Sequence, residues 1–191
     1  MEKLTGLNKL KTAVFISGTG SNFKNLLKFS KIKKAPISIN LVISNVNKAK
    51  GLKYADQINI KKKIFNFKDI DTEKKVLTLL KKEKINLICL AGFMKILSKN
   101  FIKKFGGKII NIHPSLLPKY KGLNTHYKAI ANKDKFAGCT VHYVTEKLDS
   151  GKIIMQKKIK IAARDNVISL AKKVLKQEHI LYPAAIIKIL D

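Results

Sequence analysis

Asn111 and His113 stand two residues apart at the end of an apolar run, "KIINIH", and Pro114 follows at once. In an extended strand such a pair points to one side while Ile112 faces the other. An asparagine N–H can serve a developing oxyanion and a histidine can move a proton, so the pair suits acyl transfer. Capping of neighbouring backbone groups is the alternative use of an Asn and a His at a strand end. Pro114 stops the strand, and Pro118 stiffens the loop beyond it. Asp149 lies in "VTEKLDSG", between two longer strand-like runs. Taken alone it is an ordinary turn residue. Set against His113, its carboxylate would favour the imidazolium and raise that pKa.

A second constellation, "SGTGSN" at residues 17–22, joins an apolar run to a helical pattern. Glycines let backbone amides approach a phosphate, and a helix start adds partial positive charge. Phe23 breaks the GxGxxG spacing and no Gly-Lys-Ser/Thr follows, which favours a monophosphate over a dinucleotide. A structural turn with Ser21 as N-cap explains the segment equally well. In "QEHILYP", residues 177–183, Glu178 either holds hydroxyls or an amine of a ligand or pairs with a lysine. His126 and His142 read as hydrogen-bonded structural histidines, because no HxxxH or Cys/His spacing accompanies them, and no metal site is expected.

These residues need elements to position them. "TAVFIS", "ISINLVISN" and "KKIFNF" are short apolar or alternating runs, separated by the helical patterns "SNFKNLLKFSKI" and "KAKGLKYADQI". Asp71 is placed to cap "TEKKVLTLLKKEK", and "NLICLAG" follows as a strand of the fully buried type. This alternation predicts a Rossmann-like α/β fold: an open, mostly parallel twisted sheet with helices on both faces and right-handed crossovers. After residue 106 the pattern changes. "KIINIH" is a further strand, "THYKAIANK" a short helix, and "AGCTVHYVTE" and "GKIIMQKKIKIA" form a plausible antiparallel extension. A last helix spans about 166–181, capped by Asp165 or Asn166 and interrupted near Pro183. Ligands of such sheets sit beyond the carboxyl ends of the strands, where Asn111, His113 and the 17–22 turn fall.

The 191 residues fit one domain, residues 1–191, with about 12–105 as a phosphate-binding βα half and about 106–191 as a second half. A net charge of +28 invites a nucleic-acid reading, yet only Arg164 among the 40 basic residues is an arginine, and the lysines are spread along the chain. That distribution favours a solvated lysine surface over a specific nucleic-acid face, while the field still attracts anionic small substrates. Cys89 and Cys139 lie in apolar runs outside any CxxC pair, as buried reduced thiols do. The sequence carries neither a signal-peptide core nor about 18 consecutive apolar residues, so no membrane association is expected and a cytoplasmic location is.

"ISGTGSN", "LAGFMKILS", "IINIHPSLLPKYKGLNTH", "GCTVHYVTEKLDSGKIIMQ" and "QEHILYP", in this order, closely resemble the glycinamide ribonucleotide formyltransferases, a folate-dependent family of purine (IMP) biosynthesis. The resemblance covers roughly residues 12–185. It implies the formyltransferase fold and transfer of a formyl group from 10-formyltetrahydrofolate, as co-substrate, to the glycyl amine of 5-phosphoribosylglycinamide. The products would be phosphoribosyl-N-formylglycinamide and tetrahydrofolate. Residue by residue, it implies Asn111, His113 and Asp149 as the catalytic trio. Gly20, Ser21 and Asn22, with Lys176, Gln177 and Glu178, fall in the segments that bind the nucleotide and its phosphate. Met94, Lys95, Ile96 and Leu97, with Asn111 and with Thr145, Glu146, Lys147, Leu148 and Asp149, fall in those that bind folate, so the second half of the chain is the catalytic and folate-binding one. No metal is expected, and the chain is expected to be a monomer or a homodimer.

Departures from the family pattern are Asn124 where His is frequent, Lys95 where Arg is, and Ser150 where a second Gly is; residues 46–84 match poorly. Formyltetrahydrofolate deformylase and other folate-dependent formyltransferases, such as the methionyl-tRNA enzyme, share the trio. The deformylase carries an N-terminal regulatory domain and the tRNA enzyme a C-terminal RNA-binding domain, neither of which is expected here. A basic nucleic-acid-binding protein is the remote alternative from another class.

Overall fold

A computed structural model describes residues 9–190. Leu10–Ile16 (β1) leads through Ser21–Ser30 (α1) to Ile37–Ser44 (β2), Leu52–Asp56 (α2) and Lys61–Ile64 (β3). Thr72–Lys82 (α3), Leu87–Leu90 (β4), Lys99–Phe105 (α4) and Lys108–His113 (β5) follow. Thr125–Ala131 (α5), Phe136–Tyr143 (β6), Ile153–Lys160 (β7) and Val167–Lys188 (α6) complete the order. One sheet holds the strands as β3-β2-β1-β4-β5-β6-β7. The first five in that order pair in parallel, and β6 and β7 are antiparallel additions. The mostly parallel sheet with an antiparallel extension is therefore present as the patterning predicts.

Period-two alternation explains why both faces are covered. In β1, Val14 and Ile16 join a core with α1 and α6, and Ala13 and Phe15 join the opposite core with Val76 and Leu80 of α3 and Phe101 of α4. One edge of the sheet is β3, whose Lys61, Lys62 and Lys63 are exposed, charges that discourage edge-to-edge pairing. Cys89 and Cys139 are buried and free, and burial pushes each thiol up to about 12. Among the described residues no helix is long and apolar enough to cross a membrane.

Strand order reverses at β1, which lies between β2 and β4, and this opens the crevice beyond their carboxyl ends. The turn out of β1 enters α1 through Gly20, at φ 71°, where a Cβ would come within 2.6 Å of the Gly51 Cα. Only glycine combines that left-handed backbone with so close an approach. Gly20, not Ser21, is the N-cap residue of α1, and Asp71 precedes α3 without a side-chain capping bond; both differ from the sequence expectation. At α6, Asn166 forms a reciprocal box with Ser169, and Asp165 also bonds Ser169.

Two elements depart further from the sequence reading. Helix α4 is unanticipated, although Ser98 accepts from the Phe101 N–H at its start and Gly106 ends it in left-handed conformation. Helix α6 does not stop near Pro183 but continues to Lys188. Pro183 has no N–H for the carbonyl of His179, and Asn25 of α1 supplies one instead, its Nδ2 donating at 2.6 Å. Packing supplies the rest, because Leu181, Tyr182, Ala185 and Ile186 are buried around the proline. The Tyr182 hydroxyl lies 2.9 Å from the Leu90 carbonyl and 3.2 Å from that of Ile110, anchoring α6 to β4 and β5 directly before Asn111.

Replacing Asn25 by Ala leaves the His179 carbonyl without its donor and should destabilise the fold by about 1–2 kcal/mol. In a Pro183→Ala background the new N–H serves that carbonyl, so the loss should shrink toward zero. Urea unfolding of the four proteins measures this; an undiminished loss in the double variant contradicts the assignment.

Candidate active site

The antiparallel pairing of β5 with β6 sets His142 opposite Asn111 and Thr140 opposite His113. Asp149 enters from the turn after β6 with φ 44°, a left-handed backbone that aspartate tolerates better than most residues. Its Oδ2 lies 3.3 Å from His113 Nδ1 and accepts the Gly122 N–H at 2.8 Å. Its Oδ1 lies 3.5 Å from Asn111 Nδ2 and 3.5 Å from His142 Nε2. Asn111, His113 and Asp149 are thus brought together around one carboxylate.

Proton placement follows from partners that can only accept. The Tyr120 carbonyl lies 2.8 Å from His113 Nε2, so this nitrogen donates. The Tyr143 carbonyl lies 2.8 Å from His142 Nδ1, which leaves His142 Nε2 to accept from Asn111 Nδ2 at 3.2 Å. His142 therefore orients the amide of Asn111, a role the sequence reading did not give it. The signal that would have found it is the β5–β6 register, which residue types alone do not reveal.

Burial is the strongest influence on His113, which is 5% exposed, and it lowers the pKa. The Tyr120 bond and the Asp149 charge raise it without overcoming that cost, and the balance lies below the ordinary histidine value. This corrects the expectation that Asp149 raises the His113 pKa above its ordinary value: desolvation outweighs the attraction. For Asp149 burial acts upward most strongly, yet its contacts with His142, the Gly122 N–H and His113 together hold the carboxyl below the usual range.

The Tyr120 carbonyl is itself held in place. Thr140 Oγ1 donates to the Ser115 carbonyl at 2.6 Å and accepts from the Leu117 N–H at 3.1 Å and Gln156 Nε2 at 2.9 Å. Ser115 Oγ donates to the Lys119 carbonyl at 2.6 Å, which closes the loop just before Tyr120. Thr140 and Gln156 were not singled out in the sequence.

The trio opens into a cleft of about 680 Å³, within the range of small-molecule sites. Met94, Lys95, Ile96, Leu123, Tyr127 and Leu148 are among its lining residues. Leu97, Thr145 and Lys147 line a smaller adjoining recess with Asn111 and Asp149. Glu146 lines neither and pairs with Lys99 at 3.1 Å. Residues of the 17–22 turn and of α6 form a separate group. Asn22 Nδ2 donates to Glu178 Oε2 at 2.6 Å, and burial raises the Glu178 pKa against that bond. Asn22 Oδ1 is buried with no partner, so it can accept a hydrogen bond from a ligand. Gly20 and Ser21 adjoin this pair at the start of α1. Lys176 is exposed and Gln177 half-buried on α6, and neither meets the cleft.

Residues 10–186 match the family model described as formyl transferase. The chain belongs to the formyl transferase family. It is 41% identical over 180 residues to phosphoribosylglycinamide formyltransferase of Haemophilus influenzae, covering 92% of this chain and 85% of that protein. The trifunctional purine biosynthetic protein adenosine-3 of Gallus gallus is 41% identical over 183 residues, covering 94% of this chain. The chain spans only 18% of that longer relative. The solved structure of phosphoribosylglycinamide formyltransferase from Brucella melitensis matches at a TM-score of 0.90 with 41% identity, covering 95% of this chain and 96% of that one. Within this formyl transferase fold the trio and the cleft occupy the carboxyl edge of the sheet.

Imidazole resonances followed by NMR against pH should place the midpoint of His113 below 6.5. Asp149→Asn removes an upward influence, so the midpoint should fall further. A midpoint above 6.5, or a rise in the variant, contradicts this balance of burial and charge.

Proposed function

We propose that the chain transfers the formyl group of 10-formyltetrahydrofolate to the glycyl amine of 5-phosphoribosylglycinamide. The observation that carries this reading is the convergence of Asn111, His113 and Asp149 on the edge of a mostly apolar cleft. Membership of the formyl transferase family and the names of the similar proteins support it. The apolar walls formed by Met94, Ile96 and Leu148 fit a pteridine ring. Outside the lining of that cleft, the Gly20–Asn22 turn and Glu178 fit a phosphorylated ribose.

Each residue of the trio has a distinct task. Asn111 donates an N–H toward the formyl oxygen as the amine adds and charge grows there. His113, its Nε2–H held by the Tyr120 carbonyl, takes up on Nδ1 the proton released by the attacking nitrogen. Asp149 stabilises the imidazolium so formed. His113 then returns the proton to the departing folate nitrogen as its bond to the formyl carbon breaks. One C–N bond forms, one breaks, and the proton count balances.

Asn111→Ala, His113→Ala and Asp149→Ala should each lower turnover by about 10²- to 10³-fold. The absorbance change of the folate on addition of glycinamide ribonucleotide reads this out, and thermal unfolding should change far less. Near-normal turnover in folded His113→Ala contradicts the assignment. Glu178→Ala should raise KM for the nucleotide about tenfold while leaving KM for the folate within about threefold, the size expected for one hydrogen bond to a charged group.

A further inference from the structure

We infer that Ser17 is a positioning residue that ties the Gly92–Leu97 segment of the cleft to the turn at 18–22, so that occupation of the turn improves binding on the segment. The inference rests on the functional reading above, in which the turn receives the nucleotide phosphate and the segment receives folate. Its starting point is how few attachments the segment has. Among the hydrogen bonds of the described residues, its backbone meets the body of the protein at two points. The Gly92 carbonyl accepts the Ser17 N–H at 3.1 Å, and the Met94 N–H donates to Ser17 Oγ at 2.7 Å. Both partners belong to Ser17. Side chains add only apolar anchors: Phe93 packs edge-on against Phe15 and Phe67, and Leu97 is buried. Such contacts hold the segment down without setting the direction of its backbone.

Asn45, just beyond β2, directs the serine hydroxyl. Ser17 Oγ donates to Asn45 Oδ1 at 2.5 Å, so the proton points away from Met94 and a lone pair faces the Met94 N–H. Met94, Ser17 and Asn45 thus form a chain across the ends of β4, β1 and β2, at the place where the strand order reverses. The same residue begins the turn. Gly18 follows Ser17 and its carbonyl accepts the Gly51 N–H at 3.0 Å, while Gly20 lies against the Gly51 backbone. A phosphate held on this turn restricts Gly18 and Ser17, and through Ser17 Oγ it restricts Met94. Ordering the segment before folate arrives removes part of the entropy that folate binding would otherwise lose, which is positive coupling between the two ligands.

Calorimetric titration of the full chain with a non-formylated folate analogue, with and without saturating glycinamide ribonucleotide, tests the coupling. Wild type should bind the analogue about fivefold or more tightly when the nucleotide is present. In Ser17→Ala that factor should fall to about one, and KM for 10-formyltetrahydrofolate should rise by more than kcat falls. Ser17→Thr retains the hydroxyl and should restore the factor. Asn45→Ala frees the hydroxyl to rotate and should weaken the coupling in the same direction, a second route to the answer should Ser17→Ala fold poorly. A wild-type coupling factor retained in both Ser17→Ala and Asn45→Ala overturns the inference, as does its absence from wild type. A wild-type protein that transfers no formyl group overturns the functional reading itself.

Discussion

The antiparallel hydrogen bonding of β5 to β6 is the constraint on which the site depends. It sets His142 opposite Asn111 and Thr140 opposite His113, and it delivers the following turn, with Asp149, back over the same strand. A slip of one residue would send Asn111 and His113 to the opposite face, where Ile112 now packs. The same pairing fixes proton positions, because His142 can accept from Asn111 only while its other nitrogen is held by the Tyr143 carbonyl. Thr140 extends the arrangement to the loop that presents the Tyr120 carbonyl to His113.

The parallel half of the sheet contributes the turn after β1 and the segment after β4. The reversal at β1 brings the turn after β1 and the segment after β4 side by side, and Ser17 joins them. Helix α6 closes the other side by bringing Glu178 to Asn22 and Tyr182 to the carbonyls of Leu90 and Ile110. One helix thus touches both the start of α1 and the strand that carries Asn111. Its continuity past Pro183 is what allows this, and that continuity depends on Asn25 of a different helix.

Much of this was legible in the sequence because it rests on local rules. The strand–helix alternation follows from hydrophobic period, and the common direction of Asn111 and His113 follows from their spacing of two. The features that escaped depend on residues far apart in the chain. Pro183 reads as a stop until Asn25, 158 positions earlier, supplies the missing donor. His142 reads as structural until the strand register brings it to Asn111. The pKa of His113 departs from the sequence expectation for a related reason: the Asp149 charge could be anticipated, whereas the depth of burial could not. Helix α4 is the exception, since Ser98 and Gly106 mark both its ends in the sequence itself.

The central claim is that the Asn111–His113–Asp149 group hands a formyl carbon to an amine. It is tested most directly by the fate of that carbon. Supplying 10-formyltetrahydrofolate labelled with ¹³C at the formyl position, together with glycinamide ribonucleotide, and following the label by NMR distinguishes the outcomes. The account predicts that the label appears in the N-formyl group of the nucleotide product, with tetrahydrofolate released in equal amount. Label recovered only in formate, or remaining on the folate, would contradict it.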